Sequence, residues 1–233
     1  MFALSACLKA SRRFYRDHEL ADWTRAIPKA AAPVHDSALA QAEKAGFTLG
    51  LAFPPFALQL SQMDLLIEAT ARRPAAQVLD SEQYSGEVSL SDEWSKAANG
   101  KFLQRTDDLG PRTAGPYLYL FSPAPYPTAW GRTGRQIEEL FHGKDWHGLT
   151  VPEYFVLQRY FCEKNGDHRF FAEPEGDRAT HSLWLIDSMH AAQCSVVTAG
   201  PRGIDVRTCS ANNRDSRRAT VAGLVVPLTA QAD

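Results

Sequence analysis

Titratable side chains crowd the stretch before the apolar run Leu183-Trp184-Leu185-Ile186: Asp167, His168, Glu173, Glu175, Asp177, Arg178 and His181. A carboxylate or imidazole desolvated there could act as a general acid or base, which makes Asp167, His168, Asp177, Arg178 and His181 a candidate pocket. A charged turn between helix and strand is the commoner meaning of such a stretch, with Gly176-Asp177-Arg178 closed by its aspartate. Cys194 or Cys209, paired with His181 or His190, has the residue types of a nucleophilic thiol. Their apolar, strand-like surroundings favour small buried side chains instead.

Metal ligation could draw on His142, Asp145 and His147, or on Asp167, His168 and His181. Neither group has the spacing of a structural zinc site, and Cys7, Cys162, Cys194 and Cys209 form no CxxC pair, so no metal and no cofactor is expected. The stretch from His142 to His147 reads as a solvated link between helices. Anion binding has a more physical basis. Gly131-Arg132-Thr133-Gly134-Arg135 opens a helix, where free N–H groups beside guanidiniums attract phosphate. The segment lacks the lysine and spacing of a P-loop. A second basic set, Arg202, Arg207, Arg214, Arg217 and Arg218, lies near the C-terminus. If Arg207, Arg214 and Arg218 share one face, they can follow a phosphate backbone. A solvated hairpin whose arginines discourage edge pairing explains the same residues.

These residues need elements to position them. Residues 1 to 73 are alanine-rich and read as helical: Leu8, Phe14, Tyr15 and Leu20 alternate with charge, a second helix runs from Asp36 to Gly46, and a third carries Leu60, Met63, Leu66 and Ile67 after Pro54-Pro55. Val78-Leu79 suggests a short strand and Ser91 to Ala98 a short helix. Tyr117 to Phe121 is a strand that runs into a proline-broken loop, as edge strands and site rims do. Thr133 with Gln136, and Thr150 with Glu153, are capping boxes that open two helices. The chain from Ser182 onward gives strands at Ser182 to Asp187, Gln193 to Thr198, Ile204 to Ser210 and Ala219 to Val226, whose short links predict adjacent antiparallel pairing. The fold class is therefore α+β, helical first and mostly antiparallel β last, divided near residue 75 or continuous across it.

The chain has 233 residues, 44% of them hydrophobic, enough to bury one substantial core. A net charge of −2 argues against a surface wholly adapted to nucleic acid or anionic membrane. No apolar run is long enough to span a bilayer. Leu4-Ser5-Ala6-Cys7 has the look of a lipoprotein box, but no apolar segment precedes it, so a cytoplasmic chain with no membrane partner is expected. Cys194 and Cys209 could face each other on neighbouring strands, in a compartment that disfavours a disulfide.

Pro116-Tyr117-Leu118, Leu149-Thr150 with Glu153, Gly176-Asp177-Arg178, Leu183-Trp184 and the Cys194 to Cys209 segment with Gly200-Pro201 resemble a bacterial family of domains of unknown function. The resemblance covers roughly the second half. Members carry more tryptophan and glycine between the two cysteines than Ser195-Val196-Val197-Thr198 and Arg202-Gly203-Ile204 supply. The resemblance implies a bacterial source and brings no catalytic residues. With strong packing signals and no coherent catalytic set, the expectation is a soluble binding or interaction protein, a candidate subunit of a larger assembly. The alternatives are a nucleic-acid or phosphorylated-ligand binder using the arginines, and a small hydrolase or transferase centred on Asp167 to His181. Whether the chain catalyses anything is not decided by its sequence.

Overall fold

The amphipathic N-terminal pattern forms α1, Leu4–Asp17, whose Leu8, Phe14 and Tyr15 are buried. Coordinates come from a computed structural model that describes residues 3–31, 36–71, 87–90, 109–122, 129–165, 181–190, 192–200, 203–215 and 218–229. The expected strand at Val78-Leu79 and helix at Ser91 to Ala98 lie outside these residues. After α1 come α2, Ala21–Ala26, α3, Asp36–Lys44, and then a strand where helix was expected: β1, Leu49–Phe53. Gly46, at φ 77, ends the helical run, and Pro54-Pro55 closes the segment on its other side. Pairing then overrides the helix preference of leucine and alanine. A Cβ on Gly50 would lie 2.9 Å from Leu120 Cδ2, so the close approach of β1 to its neighbour requires glycine there.

Two short helices, α4, Phe56–Ser61, and α5, Met63–Ala71, replace the single one expected. They are followed by β2, Glu87–Leu90, α6, Pro111–Ala114, and β3, Tyr117–Phe121. Rather than an edge, β3 is the centre of a three-stranded sheet, antiparallel to β1 on one side and to β8, Gly223–Pro227, on the other. All five residues of β3 are buried, which suits its unbroken apolar run. Its two neighbours come from distant parts of the chain, and the sheet crosses the boundary read near residue 75. On the outer edge of β1, Ser11 Oγ accepts the Ala52 N–H at 2.8 Å and Tyr15 OH donates to the Ala52 carbonyl at 2.7 Å. Helix α1 thus seals that part of the edge against further pairing.

Both capping boxes form. In α7, Gly134–His142, Thr133 Oγ1 accepts from Gln136 N at 3.2 Å and Gln136 Oε1 accepts from Thr133 N at 3.1 Å. In α8, Val151–Asn165, Glu153 Oε2 accepts from Thr150 N at 2.7 Å. Val151 to Leu157 are buried without interruption, so α8 is a central helix and not an amphipathic surface one.

The second sheet has the order β2-β6-β5-β4-β7. Strands β4, His181–His190, β5, Gln193–Gly200, and β6, Gly203–Ser210, form the expected antiparallel meander. The last expected strand, Ala219 to Val226, is broken in two. β7, Arg218–Ala219, pairs parallel to β4, and β8 leaves for the first sheet. Thr220 Oγ1 donates to Trp184 O at 2.9 Å and holds the break. Beyond it the chain crosses over Tyr119 at Gly223, where a Cβ would lie 2.5 Å from the ring's Cζ. No helix among the described residues is long and apolar enough to cross a membrane.

Candidate functional site

Pro111 at the first helical position of α6 places Arg112 wholly inside the protein. A bare guanidinium cannot remain there, and every nitrogen of this one has a partner. Nε donates to Glu153 Oε1 at 2.7 Å, Nη2 donates to Glu153 Oε2 at 3.1 Å and to Gly148 O at 2.9 Å, and Nη1 donates to Asp187 Oδ2 at 2.5 Å. The Tyr117 and Tyr119 rings lie with their centroids 5.7 and 5.6 Å from Cζ. Tyr117 OH donates to Glu153 Oε1 at 2.7 Å and accepts from Gln59 Nε2 at 2.7 Å. One cation therefore ties α6, β3, α8 and β4 together across both sheets.

Asp187 reaches this cation because β4 is irregular: its register with β5 shifts between Leu185 and Met189. A bulge re-aims side chains, and here two turn toward the start of α8. Ser188 Oγ accepts from Val151 N at 2.9 Å, and Asp187 Oδ1 accepts from Gly148 N at 3.2 Å. Gly148 lies against the bulge so closely that a Cβ would be 2.6 Å from Ile186 Cβ.

The link between α7 and α8 is just as constrained. Trp146 packs edge-on to Phe47 and Phe141, and His147 exchanges backbone hydrogen bonds with Gly223 at 2.8 and 2.9 Å. Tyr119 OH donates to His147 O at 3.2 Å. Asp145 adopts φ 55, a left-handed conformation that aspartate tolerates better than most residues. His147 Nδ1 lies 3.0 Å from Asp187 Oδ2. The same nitrogen lies 3.3 Å from Arg112 Nη1.

This link lines a cleft of about 250 Å³, bounded by Leu109, Gly110, Pro111, Glu138, Phe141, His142, Asp145, Trp146, His147, Ile186 and Asp187. The stretch from His142 to His147, expected as a solvated loop, is exposed from His142 to Asp145 and also forms one wall of the cleft. Among the described residues no group of three or more His, Cys, Asp or Glu could hold a metal ion. Burial would raise the Asp187 carboxyl, but Arg112, the His147 hydrogen bond and the Gly148 N–H together hold it at about 2. Burial opposes the charge on Arg112, yet Glu153 and Asp187 hold its pKa well above the ordinary arginine value. Burial and the neighbouring Glu153 push the Tyr117 hydroxyl well up, which keeps it a donor.

The arginines read from the sequence divide into groups. Exposed Arg132 and Arg214 and half-buried Arg135 meet at the start of α7, where Arg214 bridges to Thr133 and Arg135 N donates to Ala211 O at 3.1 Å. Arg214 Nε donates to Gly131 O at 2.6 Å, and Arg135 Nη1 lies 3.1 Å from Glu138 Oε2. Arg207 is exposed on β6. Arg218 turns inward at 8% exposure, its Cζ 4.8 Å from the Trp184 ring centroid. Arg202, Arg217, Asp167, His168, Asp177 and Arg178 lie outside the described residues, and of His181 and His190 only the backbone is described. Arg112 and Asp187 were not singled out from the sequence. The available signals were a carboxylate inside the apolar run of β4 and an arginine just after Gly110-Pro111.

No family model matches this chain, and no curated protein or solved structure matches it significantly.

Arg112→Met leaves Glu153 and Asp187 buried without their cation and is expected to cost about 3–5 kcal/mol in chemical denaturation. Arg112→Lys is expected to recover only part of that, because an ammonium cannot serve both Glu153 oxygens together with Asp187 and Gly148. A loss under about 1 kcal/mol for Arg112→Met, as for a surface pair, would contradict the assignment. The Asp187 carboxyl is lowered on folding, so its contribution is present above the ordinary carboxyl value and lost as the pH falls. Acid titration of stability from about pH 4 to pH 2 is expected to show a drop of about 2 kcal/mol that Asp187→Asn lacks.

Proposed function

We propose that this chain is a binding protein whose cleft receives the basic side chain of a protein partner. The observation that carries this reading is the charge of the lining: Glu138, Asp145 and Asp187 contribute carboxylates, His142 and His147 contribute imidazoles, and no lysine or arginine is among the described lining residues. Arg112, behind the wall, is matched by Glu153 and Asp187, and Arg135, outside the lining, reaches Glu138, which leaves Asp145 as the exposed carboxylate of the cleft. Low-dielectric walls carrying one sign of charge concentrate the field and favour a ligand of the opposite sign.

Size narrows the ligand. A cleft of about 250 Å³ is below the range of about 300–1,000 Å³ usual for drug-sized molecules, and it suits a single guanidinium or ammonium on its alkyl stem. Phe141, Trp146, Leu109 and Ile186 offer apolar surface to such a stem, as arginine anchors use at protein interfaces. Gly148 and the bridge from His147 to Gly223 hold the wall in place before any partner arrives, which lowers the ordering cost of binding.

A second reading has its own observation, the meeting of Arg132, Arg135 and Arg214 at one corner, which would suit a nucleic-acid backbone. The two separate in one titration. A blocked arginine peptide and its citrulline counterpart are added to isotope-labelled full-length protein. Amide shifts at Asp145, Trp146 and His147 with arginine but not citrulline are expected, and Asp145→Asn is expected to weaken binding about fivefold. Equal binding of citrulline, or no change at the cleft, would overturn the reading. Salt-sensitive binding of DNA or RNA at Arg132 and Arg214 in place of peptide binding would favour the second.

A further inference from the structure

Cys194 on β5 and Cys209 on β6 are direct partners in the antiparallel register, so their side chains leave the same face of the sheet. Directly opposed residues in such a pair have Cα atoms about 4.5–5.5 Å apart, inside the window of about 4.4–6.8 Å that a disulfide spans without backbone movement. Both thiols are free. Their surroundings differ. Cys194 is fully buried, with Sγ 3.5 Å from Leu185 O and 3.4 Å from Ser195 O, whereas Cys209 is half-buried and reachable from solvent.

What distinguishes Cys209 is Arg218. This nearly buried guanidinium sits over the Trp184 ring and places Nη1 3.2 Å from the Cys209 sulfur, while Asp215 Oδ2 lies 3.4 Å from Nε. A cation held against a sulfur stabilises the thiolate, the form that reacts with peroxides. Cys7, the other half-buried thiol of the described residues, has burial raising it and only its own backbone hydrogen bond in opposition. At Cys209 burial also leaves the thiol raised above its ordinary value, with Asp215 adding to the rise, but there Arg218 and Arg207 offset part of it.

We infer that Cys209 and Cys194 form a peroxide-sensitive dithiol, with Cys209 the thiol attacked first, Cys194 the resolving thiol and Arg218 the positioning residue. The Cys209 thiolate attacks one peroxide oxygen. An S–O bond forms, the O–O bond breaks, and the departing hydroxide takes a proton to leave as water. Cys194 then attacks the resulting sulfenic acid sulfur. The S–S bond forms, the S–O bond breaks, and the Cys194 proton leaves with the hydroxyl as a second water. Two thiols and one hydrogen peroxide thus give one disulfide and two waters. The resulting bridge joins β5 to β6, and added dithiol reverses it.

The test uses the full-length protein and hydrogen peroxide, with alkylation of remaining thiols and peptide mass spectrometry. The expected result is loss of two free thiols, a peptide pair joined through Cys194 and Cys209, and oxidation of Cys209 before Cys7. In Cys194→Ser the Cys209 sulfenic acid is expected to persist and be trapped by dimedone. Arg218→Lys, which keeps the charge, is expected to oxidise faster than Arg218→Met. Cys194 and Cys209 both remaining alkylatable in the unfolded protein after native peroxide treatment, Cys7 oxidising first, or a bridge to a different cysteine would each overturn the inference. The Cys194→Ser arm does not depend on whether the Arg218 variants fold.

Discussion

A guanidinium with no access to water must find all its partners inside the protein, and that constraint on Arg112 organises everything around the cleft. An isolated buried charge costs many kcal/mol, so its partners must be placed accurately for the fold to be stable at all. Glu153 is placed by the capping box of α8, where the same carboxylate that closes the helix start meets Nε and Nη2. Asp187 is placed by the irregularity of β4, and Gly148 O by a chain that can approach Ile186 only because it lacks a Cβ. Tyr117 and Tyr119 bring the first sheet into the cluster through one hydroxyl on the carboxylate and another on the His147 carbonyl. Neither sheet contains the cluster. It exists where they converge on α8.

The electrostatic consequence is a cleft whose sign is fixed from behind. Arg112, with His147 and the Gly148 N–H, keeps Asp187 ionised down to about pH 2, while Glu153 pairs with the same cation. Asp187 in turn holds His147 Nδ1, so the imidazole has a defined orientation on a wall that Trp146, Gly223 and Tyr119 already make rigid. Such preorganisation is what binding a single basic side chain asks for, since little ordering cost then remains. The dithiol across β5 and β6 uses the same physics with a different cation. Arg218 is withdrawn from the surface and set against a sulfur, and its place on a phosphate-binding stripe is given up.

What the sequence made legible was local. The Thr133/Gln136 and Thr150/Glu153 boxes, the end of α3 at Gly46, the meander of β4, β5 and β6, and the opposition of Cys194 to Cys209 all depend on residues near one another in the chain. Contacts between distant segments were not legible. Leu49 to Phe53 lies within a stretch read as helical and forms a strand where β3 offers it a partner, and β3 lies at a centre because β1 and β8 arrive from opposite ends. Glu153 was read for the helix it starts and not for the arginine it neutralises. The link from His142 to Asp145 is solvated as read, but nothing nearby in sequence shows that Phe47 holds Trp146 and Gly223 holds His147. Asp187 was the most readable of the missed residues. A carboxylate within Leu183-Trp184-Leu185-Ile186-Asp187-Ser188-Met189 has no comfortable place in a buried strand unless a cation waits for it.

The central claim is that Arg112 is a fixed, fully hydrogen-bonded cation, and the most direct measurement is nitrogen-detected NMR of its guanidinium in the unaltered protein near neutral pH. The expected result is separate signals for the two Nη groups, with Nε–H and Nη–H protons that exchange slowly with water, because Glu153, Asp187 and Gly148 O arrest rotation and exclude solvent. A single averaged Nη signal whose protons exchange at the rate of a free arginine would contradict the account.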